Sequence, residues 1–145
     1  MEVNNSVYPT KEQIEGFLKP GPEGPICMVN LLKFKPRAVY EDGRDTQLSG
    51  REAYELYEKG VKKILQQVGG GIGFEGDVER LMLGEVEELW DMVALAVWPS
   101  RQVMLEVMQS DAMRAISVHR SAGLAGQLNI ETSGFTGQWL EGNSR

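Results

Sequence analysis

Two stretches of the chain are apolar at consecutive positions rather than at alternate ones. Across residues 26–34, one side of an extended chain carries Ile26, Met28, Leu32 and Phe34, and the other carries Cys27, Val29 and Leu31. Across residues 90–98, one side carries Trp90, Met92, Ala94, Ala96 and Trp98, and the other carries Val93, Leu95 and Val97. A strand with one solvated face alternates apolar and polar residues, so both stretches predict strands buried on both faces. Helices cover one face. In a chain this short, the expected cover for the other is a second copy, which predicts a homodimer.

The rest of the pattern supplies the helices and the outer strands. Thr10 and Gln13 form a capping box at the start of a short helix with Ile14, Phe17 and Leu18 as its stripe. The proline- and glycine-rich run 20–25 ends it as a stiff linker. A first strand is expected over 26–35, then a polar loop over 36–49. Ser49 caps a helix over 50–68, where Tyr57, Val61, Ile64, Leu65 and Val68 recur at helical spacing and Gly69, Gly70 and Gly71 end it. A second strand is expected over 78–85, where Leu81 and Leu83 alternate with Arg80 and Met82. After the third strand, Ser100 caps a helix with Val103, Met104, Val107 and Met108 inward, and Asp111 opens a helical segment to Arg120. Leu128, Ile130 and Thr132 alternate with polar neighbours in a half-buried last strand.

The order, strand-helix-strand-strand-helix-strand behind one extra N-terminal helix, predicts an α+β fold. It is the ferredoxin-like split βαβ arrangement with an antiparallel four-stranded sheet. In that topology the first and third strands are central, and these are the two doubly apolar ones. The expected divisions are an N-terminal helix and linker over 1–25, the ferredoxin-like domain over 26–133, and a tail over 134–145. Phe135 and Trp139 suggest that part of the tail docks.

Composition narrows the chemistry. The formal charge is −6, which argues against nucleic acid as a partner. Cys27 is the one cysteine, so no intrachain disulfide forms, and its apolar strand marks it as packing. The first residues show no basic and apolar leader, and no apolar run reaches membrane-span length, so a cytoplasmic protein with no membrane partner is expected. With one His and one Cys, no zinc-type metal site is expected, and no cofactor is required.

Several motifs bear on function. Gly71-Ile-Gly73-Phe-Glu-Gly76 spells G-x-G-x-x-G, but a helix precedes it and a strand is expected after it. That is the reverse of a dinucleotide site, so the run is read as a helix-to-strand connection. Asn30 interrupts the first apolar strand; a buried amide there is either satisfied by structure or aimed at a substrate carbonyl or oxyanion. Asp91 stands beside Trp90 at the start of the third strand, and burial would raise its pKa into the range of a base. His119 is the one side chain here that normally titrates near neutrality, and Arg120 follows it. Tyr54 lies three residues before Tyr57, at the edge of the helix stripe.

These residues together resemble a known family. Met28-Val-Asn30-Leu-Leu, Ser49-Gly50 with Tyr54 and Tyr57, Gly70-Gly71, Glu75-Gly76, Trp90-Asp91, Pro99-Ser-Arg101, Asp111 and Arg120 are similar, in order over about residues 26–133, to domain-of-unknown-function family 1330. The resemblance implies a subunit of the dimeric α+β barrel superfamily, whose pocket lies between sheet and helices. That superfamily includes cofactor-independent monooxygenases, isomerases, dehydratases and haem-handling enzymes. The stretch 97–120 is also similar to haem-degrading monooxygenases, but their Trp position falls at Val107 and their His position at Ser117. His119 lies two residues on, about 200° around a helix, so haem chemistry is the least favoured reading.

The resulting expectation is a homodimer with a small-molecule pocket lined by Asn30, Tyr54, Trp90, Asp91, His119 and Arg120. As an enzyme it would transfer protons or oxygenate a small carbonyl-bearing or aromatic compound. His119, Asp91 and Asn30 would act catalytically, and Tyr54, Trp90 and Arg120 would bind. The alternative is a non-catalytic small-molecule binder or interaction module, in which those polar groups satisfy one another.

Overall fold

The computed structural model describes residues 1–137; Trp139, and with it the expected docking of the tail's end, lies outside the described residues. The chain folds as α1 (Lys11–Leu18), β1 (Ile26–Phe34), α2 (Gly50–Gln67), β2 (Gly71–Asp77), β3 (Met92–Trp98), α3 (Arg101–Met108), α4 (Asp111–Gly123) and β4 (Leu124–Thr132). The strands form one antiparallel sheet in the order β2-β3-β1-β4, so the two doubly apolar strands are its centre. This is the ferredoxin-like arrangement, with α1 added before it.

Local signals set the helix starts. Thr10 and Gln13 close a reciprocal capping box on α1, and Ser49 and Glu52 close another on α2. Ser100 and Ser110 accept from the backbone N–H of Val103 and Met113 to cap α3 and α4.

The helices cover one face of the sheet. On that face Ile26, Met28, Ala96 and Trp98 pack with Val61, Leu65, Met104, Val107 and Met113 in one apolar cluster. Leu32, Phe34, Met92, Ala94 and Leu124 pack with Tyr54 in a second, against which Val7 and Tyr57 lie. The opposite face carries Val29, Leu31, Val93, Leu95 and Val97, all half-buried. The register places Leu128 beside Leu31 and Ile130 beside Val29, so the apolar residues of β4 join this uncovered face. Gln127, Asn129 and Glu131 are registered with the helix-facing Leu32, Asn30 and Met28.

The second strand lies earlier than the pattern predicts. Residues 78–85 form loop rather than strand, and Leu81, Met82 and Leu83 stand exposed in it. The strand is the glycine-rich run itself, which overturns its reading as a connection. It pairs from Gly71 with Val97 to Asp77 with Met92, with an irregularity between Ile72 and Phe74. Close approach explains Gly70, at the strand's entry: a Cβ there would sit 2.4 Å from the Val97 carbonyl oxygen. Strand formation here follows from fit against β3 and α2, not from side-chain propensity.

Candidate functional site

The first half of α2 and the ends of β2 and β3 enclose an open cleft of about 450 Å³. Phe34, Tyr54 and Met92 form its apolar floor, and Arg51, Glu55, Glu58, Glu75 and Asp77 form its polar wall. Tyr54 and Glu58 are four residues apart on α2, hence on one helix face. Glu75 reaches the same space because β2 is the edge strand beside them.

The wall is anchored at both ends. Arg51 pairs with Asp77 at 3.0 Å and stacks over the Phe34 ring at 4.9 Å. Lys62 bridges the two glutamates, 2.8 Å from Glu75 and 3.7 Å from Glu58. The Glu58 carboxyl is pushed up to about 7, first by burial, then by the charge of Glu75 and a hydrogen bond with it, while Lys62 acts the other way. A carboxyl poised near neutrality suits proton transfer in either direction. Burial pushes the Tyr54 phenol well up, so it remains a neutral donor. Among the described residues its hydroxyl has no hydrogen-bond partner.

Of the six sequence-predicted site residues, Tyr54 lines this cleft. Asn30 and Arg120 meet through Gln127: Gln127 Nε2 donates to Asn30 Oδ1 at 2.7 Å, and Arg120 Nη2 donates to Gln127 Oε1 at 2.7 Å. Asn30 Nδ2 donates to the Met28 and Ala94 carbonyls, both at 3.2 Å. His119 sits apart, its Nδ1 2.7 Å from the Tyr40 hydroxyl and its ring edge-on to Tyr40. Asp91 accepts from the Phe34 backbone N–H at 2.9 Å and pairs with Lys33 at 3.4 Å, closing the strand ends. Trp90 Nε1 donates to Asn5 Oδ1 at 2.7 Å. His119, Asp91 and Asn30 do not converge on the cleft.

The sequence reading missed Glu58, Glu75 and Gln127. The four-residue step from Tyr54 to Glu58 was a usable signal. Glu75 was hidden because its segment was read as a connection, and Gln127 because its polar side of β4 was expected to face water.

Among the described residues no group of three or more His, Cys, Asp or Glu is placed to hold a metal ion, and no helix is long and apolar enough to cross a membrane.

No family model matches the chain, and neither does any curated protein. Solved structures do. A putative antibiotic biosynthesis monooxygenase from Caulobacter crescentus CB15 is 14% identical, with a TM-score of 0.51 over 79% of this chain and 92% of that one. That likeness and the sheet order define the class, a protein of ferredoxin-like fold. The crystal structure of the methylated RPA0582 protein is 32% identical, with a TM-score of 0.82 over 92% of this chain and 98% of that one. A second crystal structure, of RPA0582 from Rhodopseudomonas palustris, described as a protein of unknown function, is 30% identical, with a TM-score of 0.81 over 92% and 100%. The chain belongs to the family of the RPA0582 protein.

Proposed function

We propose that this protein is a homodimer that binds a small organic molecule in the cleft beside Tyr54 and transfers a proton there. Glu58 is the acid–base group, burial and then the charge of Glu75 hold its pKa near neutrality, and Tyr54 donates to a carbonyl oxygen of the ligand. The observation that carries this reading is one partly apolar cleft lined by the paired Glu58 and Glu75 carboxyls and by Tyr54, whose hydroxyl has no hydrogen-bond partner among the described residues. The substrate class is a small carbonyl-bearing or aromatic carbon acid: Glu58 as carboxylate takes the proton from carbon, and the oxygen that gains charge accepts from Tyr54. The resemblance to domain-of-unknown-function family 1330 and its superfamily, whose pockets lie between sheet and helices, supports the same location. Arg120, whose charge reaches Tyr54, is a positioning group held through Gln127 to Asn30, whereas His119, Asp91 and Trp90 are held in other contacts.

The second reading is a non-catalytic binder, favoured by the dispersal of His119, Asp91 and Asn30. Deuterium exchange from solvent into small ketones and β-dicarbonyl compounds, followed by NMR, separates the two. Catalysis predicts exchange with an inflection near pH 7, slowed by about 10²-fold or more in Glu58→Gln. Binding of the same compounds with no exchange above the Glu58→Gln rate leaves the binder.

A further inference from the structure

Arg120 is a half-buried cation that, among the described residues, pairs with no carboxylate. Its Nη2 donates to Gln127 and its Nη1 to the backbone carbonyl of Val7, each at 2.7 Å. Neutral acceptors compensate a desolvated guanidinium poorly compared with an anion, which it recognises through charge-assisted hydrogen bonds. Gln127 cannot swing away freely, because its Nε2 is held by Asn30 and Asn30 in turn by two backbone carbonyls. The guanidinium is thus fixed at a defined place on the helix side of the sheet.

The group that meets it belongs to the N-terminal segment, not to the ferredoxin-like domain. Residues 5–8 lie across the β4 edge as a strap. Ser6 bridges to Gln127, Trp90 donates to Asn5, and the Tyr8 hydroxyl donates to the exposed Glu41 carboxylate. Gly126 leaves room for the strap: a Cβ there would lie 2.7 Å from the Asn5 Cβ. Val7 places its side chain against the cluster of Leu32, Phe34, Tyr54, Met92, Ala94 and Leu124. Tyr54 and Tyr57 both feel the Arg120 charge, and among the described residues neither hydroxyl has a hydrogen-bond partner. The site therefore holds a carbonyl oxygen on a fixed cation, a branched apolar group in an apolar socket, and two idle donors nearby.

We propose that this is a binding site for a short monocarboxylate with a branched or aromatic body, and that the strap at residues 5–8 is its displaceable internal occupant. The ligand carboxylate replaces the Val7 carbonyl on Arg120 Nη1, and its apolar body replaces the Val7 side chain. One negative charge fits better than two, because the chain is acidic overall and the site has a single arginine. The strap taxes binding: the apparent affinity is the intrinsic one multiplied by the fraction of chains in which the strap is open. The inference goes beyond the acid–base reading of the cleft and uses neither Glu58 nor Glu75.

The probe is 3-methylbutanoate, which reproduces the valine side chain, its α-carbon and a carboxyl carbon. The control is 3-methylbutanamide, the same shape without charge. Both are titrated by NMR into the full chain and into Asn5→Ala/Tyr8→Phe, which removes two strap hydrogen bonds and leaves the site intact. The expected results are carboxylate binding about tenfold tighter in the double variant, no binding of the amide, and carboxylate-dependent shifts of the backbone amides of Ser6 and Val7 and of the Trp90 indole N–H in the wild type. Arg120→Gln, checked for retained fold, should not bind the carboxylate. The proposal is overturned if the double variant binds no carboxylate, if the amide binds equally well, if the strap signals stay still while the carboxylate binds, or if folded Arg120→Gln still binds it. Where Arg120→Gln does not fold, the comparison of carboxylate with amide decides. A negative result leaves the Glu58 reading standing, since deuterium exchange tests that separately.

Discussion

Glu58 faces Glu75 across the cleft wall with Lys62 between them, and the fold makes its charged form costly. In the unfolded chain it titrates near 4.5, and in the fold near 7. Between those values the folded chain keeps a proton that the unfolded chain has released. Stability from this group therefore falls as pH rises from about 4.5 to about 7, and is flat outside that window. Lys62 and water at the cleft mouth screen the effect, leaving about 1 kcal/mol. Glu58→Gln should remove that slope. The variant should match wild type near pH 5 and melt about 2–4 °C higher at pH 8. Calorimetry from pH 5 to pH 8 checks this, and an unchanged slope in the variant would remove Glu58 as the titrating group. Asn30 shows how far residue reasoning reached from sequence. That a polar amide in an apolar strand must be satisfied was legible; that its partner is Gln127, 97 residues away, was not. A pairing across strands depends on register, and the sequence of one strand does not contain the register of another.

At the scale of elements, α2 and α4 meet backbone to backbone. Gly50 N–H donates to the Lys35 carbonyl, and Lys35 N–H donates to the Gly123 carbonyl. A Cβ on Gly123 would lie 2.3 Å from the Gly50 carbonyl oxygen, and one on Gly50 would lie 2.1 Å from that of Lys35. Gly123→Ala should therefore cost about 2 kcal/mol, because backbone must move to admit it. Gly16→Ala in α1 meets nothing within 4 Å and should be neutral or slightly stabilising. Urea unfolding of the two variants side by side checks the pair; equal midpoints would show that the helices separate freely. Helix starts were legible because their causes are local: a Ser or Thr cap, then Glu or Gln three residues on. The position of β2 was not. Gly70 at its entry is selected by approach to the Val97 carbonyl and the strand itself by pairing with β3, while Leu81 and Leu83 imitate a strand in a loop that carries them into solvent. Misplacing β2 also concealed Glu75, while the fold class, set by the two central strands, did not depend on it.

For the whole molecule, the surface that matters is the sheet face that no helix among the described residues covers. Val29, Leu31, Val93, Leu95 and Val97 occupy it, and Leu128 and Ile130 extend it along β4, with Ile130 48% exposed. The doubly apolar pattern of β1 and β3 required two covers. The structure assigns the helices to the face of Met28 and Ala94, which leaves the Leu95 face for the second. Large contiguous apolar patches are unusual on monomers, and these seven side chains lie together on one face. A second copy laid face to face would bury roughly 1,200–2,000 Å² in total, the range of stable specific interfaces. The prediction is a dimer at micromolar concentration by sedimentation equilibrium. Leu95→Asp should yield a folded monomer, because its charge meets water once the partner leaves. Met28→Asp should instead unfold the chain, since its charge would lie unpaired in the core at a cost of several kcal/mol. A wild-type monomer, or dimerisation that Leu95→Asp leaves unchanged, would show that this face is not the interface.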